Sequence, residues 1–247
     1  MPSQIGSRMA FQNAANAVKR AGLNPGNAVL SQSYLRFEVP LVSAATSYKF
    51  DVLVNESTNG TINTQQKLNL QDAFVTNQIG FYLAVPASST DTAFRLLTYP
   101  AINVTTGFVG TNTAFVSHAT LATNTAAQAY SIYNGYMQLT VNQRTVITAW
   151  DLQRHLFIPQ TQLGGGQVTT AAFAAPTGSA TAGHINDDNY NAADMGLFPT
   201  EPNVVLAGNK KNDLTVNFPA GPALVPTNSR LVCIFRGILA QNVTPIN

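Results

Sequence analysis

From residue 34 onward, apolar side chains recur at every second position. Leu35, Phe37 and Val39 alternate with Arg36 and Glu38, and Tyr48, Phe50, Val52 and Val54 alternate with Lys49 and Asp51. The same period returns at Leu139/Val141, at Leu214/Val216/Phe218 and at Leu231/Cys233/Phe235. Alternation of this kind predicts strands with one face on a core. The last of them also carries Val232 and Ile234 on its second face, which predicts cover on both sides. Turn signals separate the strands: Asn59-Gly60, Asn134-Gly135, Gly208-Asn209 and Pro219-Ala220-Gly221-Pro222. No long helical pattern lies between them, so antiparallel sheets in a sandwich or barrel are expected.

The N-terminus differs. Phe11, Ala14, Ala15, Val18 and Ala21 follow helical spacing over residues 8–21, with Gln12, Asn13, Asn16, Lys19 and Arg20 on the other side. Gly22 and Asn24-Pro25-Gly26 supply the stop. The stripe is mostly Ala and buries little area, so this helix needs a neighbour or a lipid surface to dock on. Residues 1–33 hold Arg8, Lys19 and Arg20 and no acid, a balance suited to phosphate or an anionic membrane and equally to a solvated helix face.

Two stretches break the strand pattern. Residues 101–129 are rich in Thr, Ala, Val and Asn without a charge, and residues 161–199 are rich in Gly, Ala and Thr. They are expected to be long functional loops or weak strands. There is also an internal echo. Tyr48–Asn55 followed by Leu68–Phe74 resembles Tyr136–Asn142 followed by Ile147–Leu152. Two similar β-domains in tandem would produce it, and so would chance.

Composition changes the picture in one respect. Charged residues are 10% of the chain, against about 25% in an ordinary soluble protein. Asn, Gln, Ser and Thr take their place. Uncharged polar walls suit a surface covered by copies of itself, because desolvating charge is costly; a secreted β-protein rich in Thr and Asn is the other reading. The net charge of +2 does not mark the whole chain as a nucleic-acid binder. The N-terminus lacks the apolar region of a signal peptide, and no stretch approaches the ~20 apolar residues of a membrane span.

Candidate chemistry is sparse. Cys233 is the one cysteine; it sits in an apolar run, so it reads as a core residue and excludes an intrachain disulfide. His118, His155 and His184 show no metal-ligand spacing. Asp151 and His155 could share a helical face or a turn, with a structural hydrogen bond as the expected role. The loop from His184 to Asp194, with Asp187 and Asp188, offers oxygens that Ca²⁺ prefers but not in the order of an EF-hand, and a solvated acidic loop is the default. No nucleophile elbow or phosphate-binding glycine loop occurs; Gly164-Gly165-Gly166 lacks a following Lys-Ser/Thr. Asn55, Asn59, Asn103 and Asn242 begin Asn-x-Ser/Thr sequons, which arise readily in a chain of this composition. No cofactor and no catalysis are expected.

A short basic N-terminal helix, a low-charge β body with Thr/Ala loops and a closing apolar strand from Arg230 to Ala240 together resemble the major capsid proteins of tailless icosahedral phages, especially lipid-containing ones built on two jelly rolls. Leu35–Leu41, Asp72–Val75 and Tyr133–Tyr136 carry the likeness, which is general and without a diagnostic motif. The resemblance implies an all-β fold of two tandem jelly rolls: residues 1–33 as helix and linker, 34–125 as the first sandwich, 126–247 as the second. The chain is short for two, so a single jelly roll with long loops is the alternative. It further implies a homotrimer forming pseudo-hexagonal capsomers in a virion assembled in the host cytoplasm. The partners would be neighbouring capsomers, penton or spike proteins, and an internal membrane or the genome. Arg8, Phe11, Val18, Lys19 and Arg20 would form a membrane- or interior-facing helix. The competing function is a virion spike or carbohydrate-binding module, with Tyr130, Tyr133 and Tyr136 as candidate ligand contacts. An enzyme is the least supported class, since a polysaccharide hydrolase needs two convergent carboxylates.

Overall fold

The computed structural model describes residues 4–60, 62–86, 94–97, 129–156, 196–222, 225 and 228–246. Helix α1 (Gln4–Arg20) opens the chain. Strand β1 (Leu23–Asn24) follows, then β2 (Val29–Pro40), β3 (Ser47–Phe50), β4 (Ala73–Pro86) and β5 (Phe94–Leu97). A 3₁₀ turn at Ala129–Asn134 leads into β6 (Tyr136–Val141), β7 (Arg144–Asp151) and the one-turn helix α2 (Gln153–Leu156). The chain ends in β8 (Leu197–Ala207), β9 (Asn212–Asn217), β10 (Arg230–Gln241) and β11 (Thr244–Pro245). The fold is all-β, and among the described residues helices lie only at its margins.

The strands form two facing sheets and a small β1–β11 ribbon. In the first sheet β10 lies between β2 and β4, and the far side of β4 pairs with β8 over its first half and β5 over its last residues. The second sheet runs β3–β9–β6–β7. All pairings between these strands are antiparallel. Counting from β2 and leaving out the short β5, the strands lie first–eighth–third–sixth in one sheet and second–seventh–fourth–fifth in the other.

One apolar layer fills the space between the sheets. It takes Leu35 and Phe37 from β2, Phe50 from β3, Ile79 and Phe81 from β4, Leu139 from β6, Val216 from β9 and Phe235 from β10. Phe37 meets Phe235 edge to face at 5.5 Å and Tyr48 meets Phe218 at 5.6 Å, so aromatic pairs bridge strands far apart in sequence. The predicted tandem division into residues 34–125 and 126–247 is therefore corrected. The first sheet takes strands from both halves and so does the second, and Leu35 and Phe235 share one core. The echo does not mark a duplication either: β3 and β6 are both neighbours of β9 in one sheet, and Leu68 makes only an isolated bridge.

The alternation explains most of these strands, and bulges explain where it slips. In β4, Phe74 points to the core, yet beyond Asn77 the odd residues Ile79, Phe81 and Leu83 do so. The register shift opposite Arg236/Gly237 absorbs one residue and flips the faces. β10 is buried on both faces as predicted: Leu231, Cys233 and Phe235 face inward, while Val232 and Ile234 join Tyr82 and Ala84 in a second cluster on the outside of the sheet. The β6–β7 turn has positive φ at Asn142 (50°) and Gln143 (64°), the two left-handed residues of a tight hairpin turn whose twist suits the strands.

Candidate functional site

The predicted N-terminal helix forms, and its apolar stripe is occupied. Ala14 and Val18 are fully buried against Ala73 and Val75 of β4, Ala207 of β8, and Ile238 and Ala240 of β10. Phe11 and Ala17 pack at the margin. The alanines on the sheet let an Ala-rich helix approach closely, so a stripe that buries little area still finds a seat. Gly22, at φ +81°, caps the helix end and its N–H donates to the Lys19 carbonyl. The neighbour that such a helix needs is thus the outer face of its own first sheet. Lys19 and Arg20 are exposed, Ala21 is exposed rather than part of the stripe, and the Arg8 side chain lies outside the described residues.

Helix α1, the β6–β7 hairpin and β8 border a cleft of about 1120 Å³. Both β7 and β8 lie at sheet margins, so the cleft opens at one edge of the sandwich. Asn16 and Arg20 line it from the helix, Asn142, Arg144 and Trp150 from the hairpin, and Glu201, Asn203 and Lys210 from β8 and the turn after it. β8 approaches the cleft through a distorted segment that contains the cis Glu201–Pro202 bond.

The charge pairing of the rest of the molecule makes this lining distinctive. Glu38 is buried and accepts from both Arg36 Nε (2.7 Å) and Arg230 Nη1 (3.2 Å). Lys67 lies 3.6 Å from the buried Asp51. Lys49 and Lys211 share Asp213, at 2.7 and 3.3 Å. Burial acts to raise the Asp213 pKa, but hydrogen bonds from these two lysines outweigh it and leave the carboxyl below its ordinary value. Arg154 stacks on the Trp150 ring at 4.3 Å. Among the described residues, Arg20, Arg144 and Lys210 have no carboxylate within ion-pair distance, and neither does Lys19 beside Arg20. Three of these four cations line the one cleft, together with the single carboxylate Glu201.

Behind the cleft sits His155, 1% exposed. Its Nε2 accepts from the Trp150 indole Nε1–H at 2.8 Å, and its Nδ1 faces the Gly196 carbonyl at 3.3 Å. An indole N–H can only donate and a carbonyl can only accept, so the ring is neutral with its proton on Nδ1. Burial pushes the His155 pKa down to about 3, the Gly196 contact opposes this, and the charge of Arg154 adds to it. Phe198 packs edge-on at 5.0 Å. The proposed Asp151–His155 contact does not form: the exposed Asp151 instead accepts from the Gln153 N–H and caps α2.

The remaining candidates separate. Cys233 is buried and its thiol pKa is pushed far up by desolvation, so it is a core residue. Tyr133 is buried against Phe81 at 5.9 Å while Tyr136 is exposed, so these two do not share a binding platform. The Tyr130 side chain lies outside the described residues, as do His118, His184, the Asp187–Asp194 loop, Gly164–Gly166, Asn103 and most of the stretches 101–129 and 161–199. Among the described residues no three His, Cys, Asp or Glu side chains come together as a metal site, and no helix is long and apolar enough to cross a membrane. Sequence reasoning missed both the cleft and the Trp150–Arg154–His155 cluster behind it. The spacing of the three residues over one strand end and one helical turn was its only local trace. Comparison with family models, curated proteins and solved structures finds no match to this chain.

Proposed function

We propose that the chain is a structural shell protein, the major capsid protein of a tailless icosahedral virion, folded as a single jelly roll. The strand order first–eighth–third–sixth opposite second–seventh–fourth–fifth is that of two nested Greek keys, the arrangement of a jelly roll. Fold alone does not name a function. The observation that carries the reading is the character of two edge strands. β2 exposes Val29, Gln32 and Tyr34 in its first half, while Gln66 bridges its second half at Arg36; β7 exposes Thr145, Val146, Thr148 and Ala149 with charge only at its ends, Arg144 and Asp151. A protein that lives alone guards such edges with charge, Pro or cover, because open strand edges recruit other chains. Here the exposed positions of these strands between their ends carry no charge and mix apolar with small polar side chains, as suits surfaces that sister subunits hide.

A pseudo-hexagonal capsomer needs six sandwiches. The trimer implied by the resemblance supplies six only with two sandwiches per chain; with one, six chains are required. No residue has a catalytic role in this reading. A spike or carbohydrate-binding module remains the second reading, with less support now that Tyr133 is a core residue.

Native mass spectrometry of the purified chain, with electron microscopy of the same sample, tests the proposal. Closed rings or sheets with hexagonal spacing are expected. A chain that stays monomeric at every attainable concentration, and decorates glycans instead, would reject it.

A further inference from the structure

We infer that the cleft between α1, the β6–β7 hairpin and β8 binds single-stranded nucleic acid. Charge is the first ground. Elsewhere in the described residues, Arg36, Lys49, Lys67, Lys211 and Arg230 are held by Glu38, Asp51 or Asp213 and Arg154 by the Trp150 ring, while Lys19 on the helix has no carboxylate within ion-pair distance. Arg20, Arg144 and Lys210 instead converge on one recess without a carboxylate partner. In a chain with so little charge, an unneutralised group of three is a local positive field against the single Glu201. That field fits a polyanion.

Shape narrows the polyanion. The recess is small, about 1120 Å³, room for a few nucleotides of a single strand rather than for a duplex segment with its ~12 Å major groove. A flat lipid surface does not enter it. An extended strand does.

The lining narrows it further. Asn16, Asn142 and Asn203 bring amides that both donate and accept, as base edges require. Trp150 lies in the wall, half-buried and backed by His155, a rigid aromatic of the sort on which bases stack. Acidic peptide would satisfy the cations but leave the aromatic and the amides without a counterpart. The inference does not rest on the shell reading, since a monomer carries the whole cleft.

The test uses the full chain and a fluorescein-labelled oligothymidylate. Trp150 is the only tryptophan, so its fluorescence reports binding at the cleft directly. Anisotropy should give saturable binding accompanied by Trp150 quenching. Three phosphate contacts predict a log–log salt slope of about −2, a loss of about 20-fold in affinity between about 50 and 200 mM salt. In Arg144→Ala/Lys210→Ala the slope should fall to about −0.7, the value for one contact. Both side chains lie on a hairpin or turn without an ion-pair partner, so the fold should persist, which circular dichroism verifies. Lys211→Ala, which breaks only the pair with Asp213, is the control and should leave the slope unchanged. Binding with an unaltered slope in the double variant would overturn the inference. So would absence of binding at low salt, tighter binding to duplex or to phosphatidylglycerol vesicles, or displacement of the oligonucleotide by polyglutamate at equal charge. Native mass measured in parallel decides the shell reading separately.

Discussion

Acid should weaken this fold through one residue, His155. The ring is buried and neutral, and its pKa of about 3 lies below the ordinary 6.5. Between these two values the unfolded chain binds a proton that the folded chain refuses. Stability from this group is therefore complete above about pH 6.5, falls by about 1.4 kcal/mol per pH unit below it, and levels off below about pH 3. At pH 5 the loss relative to pH 7 amounts to about 2 kcal/mol. That is a sizeable part of the 5–15 kcal/mol typical of a domain. Burial is the main cause, and an imidazolium would also turn a donor toward the Trp150 N–H, which cannot accept. Arg154, the neighbouring cation, adds repulsion. Urea unfolding from pH 7.5 to 4.5 measures the effect, with His155→Gln as reference. The Gln amide keeps an acceptor for the indole and a donor for the Gly196 carbonyl but does not titrate, and His118 and His184 contribute equally to both proteins. The variant should start less stable and lose about 2 kcal/mol less between pH 7 and 5. Parallel pH profiles for the two proteins would refute the assignment of this ring as the buried neutral tautomer.

Three further outcomes are expected. Glu38→Ala leaves the guanidiniums of Arg36 and Arg230 without their shared buried anion and should cost about 3–5 kcal/mol by urea unfolding, with Glu38→Gln in between. Gly237→Ala places a Cβ 1.9 Å from the Val75 carbonyl at the β4–β10 bulge; a backbone atom cannot yield cheaply, so a loss of about 3 kcal/mol or more, or failure to fold, is expected, read from the thermal midpoint or soluble yield. Val18→Asp puts a carboxylate among Ala73, Ala207 and Ile238 and should release α1, so that trypsin cuts after Lys19 and Arg20 much faster than in the wild type while the sandwich still melts cooperatively.

The strands were legible because each pairs a period of two with a single core face. Phe37, Phe50, Val216 and Phe235 all sit where the alternation puts them. Helix α1 was legible from its stripe, although not its seat: alanines 73, 207 and 240 carry no mark in the sequence that says a helix will rest there. What the period cannot carry is strand order. β10 lies between β2 and β4 through pairings such as Phe37 with Cys233 and Phe81 with Cys233, each linking residues more than a hundred positions apart. A local pattern is the same whether one sandwich or two closes around it, which is why the tandem division failed. The bulge at Asn77 is illegible for a related reason, since the flip from Phe74 to Ile79 makes sense only against the partner strand. The cleft was illegible because Arg20, Arg144 and Lys210 come from three elements that meet only in the fold.

Where the charges went connects the two functional proposals. An ordinary soluble domain spreads ionised side chains over its surface for solubility. In this chain several of the few carboxylates are withdrawn from that role: Glu38 and Asp51 are buried clamps, tying β2 to β10 and the segment after β3 to Lys67. Acid so placed cannot guard an edge strand, and the middle of β7 accordingly has none. The same withdrawal leaves Arg20, Arg144 and Lys210 unneutralised at the adjoining cleft. Uncharged flanks and a free basic recess are therefore two consequences of one allocation of charge. Moving a carboxylate onto β7, as Thr148→Glu, should disturb self-association while leaving the core untouched, because residue 148 is exposed. It would also place like charges side by side when copies meet edge to edge, a cost that grows as the interface desolvates. Assembly that proceeds unaltered in that variant would remove β7 from the interface and leave β2 as the edge on which the shell reading stands.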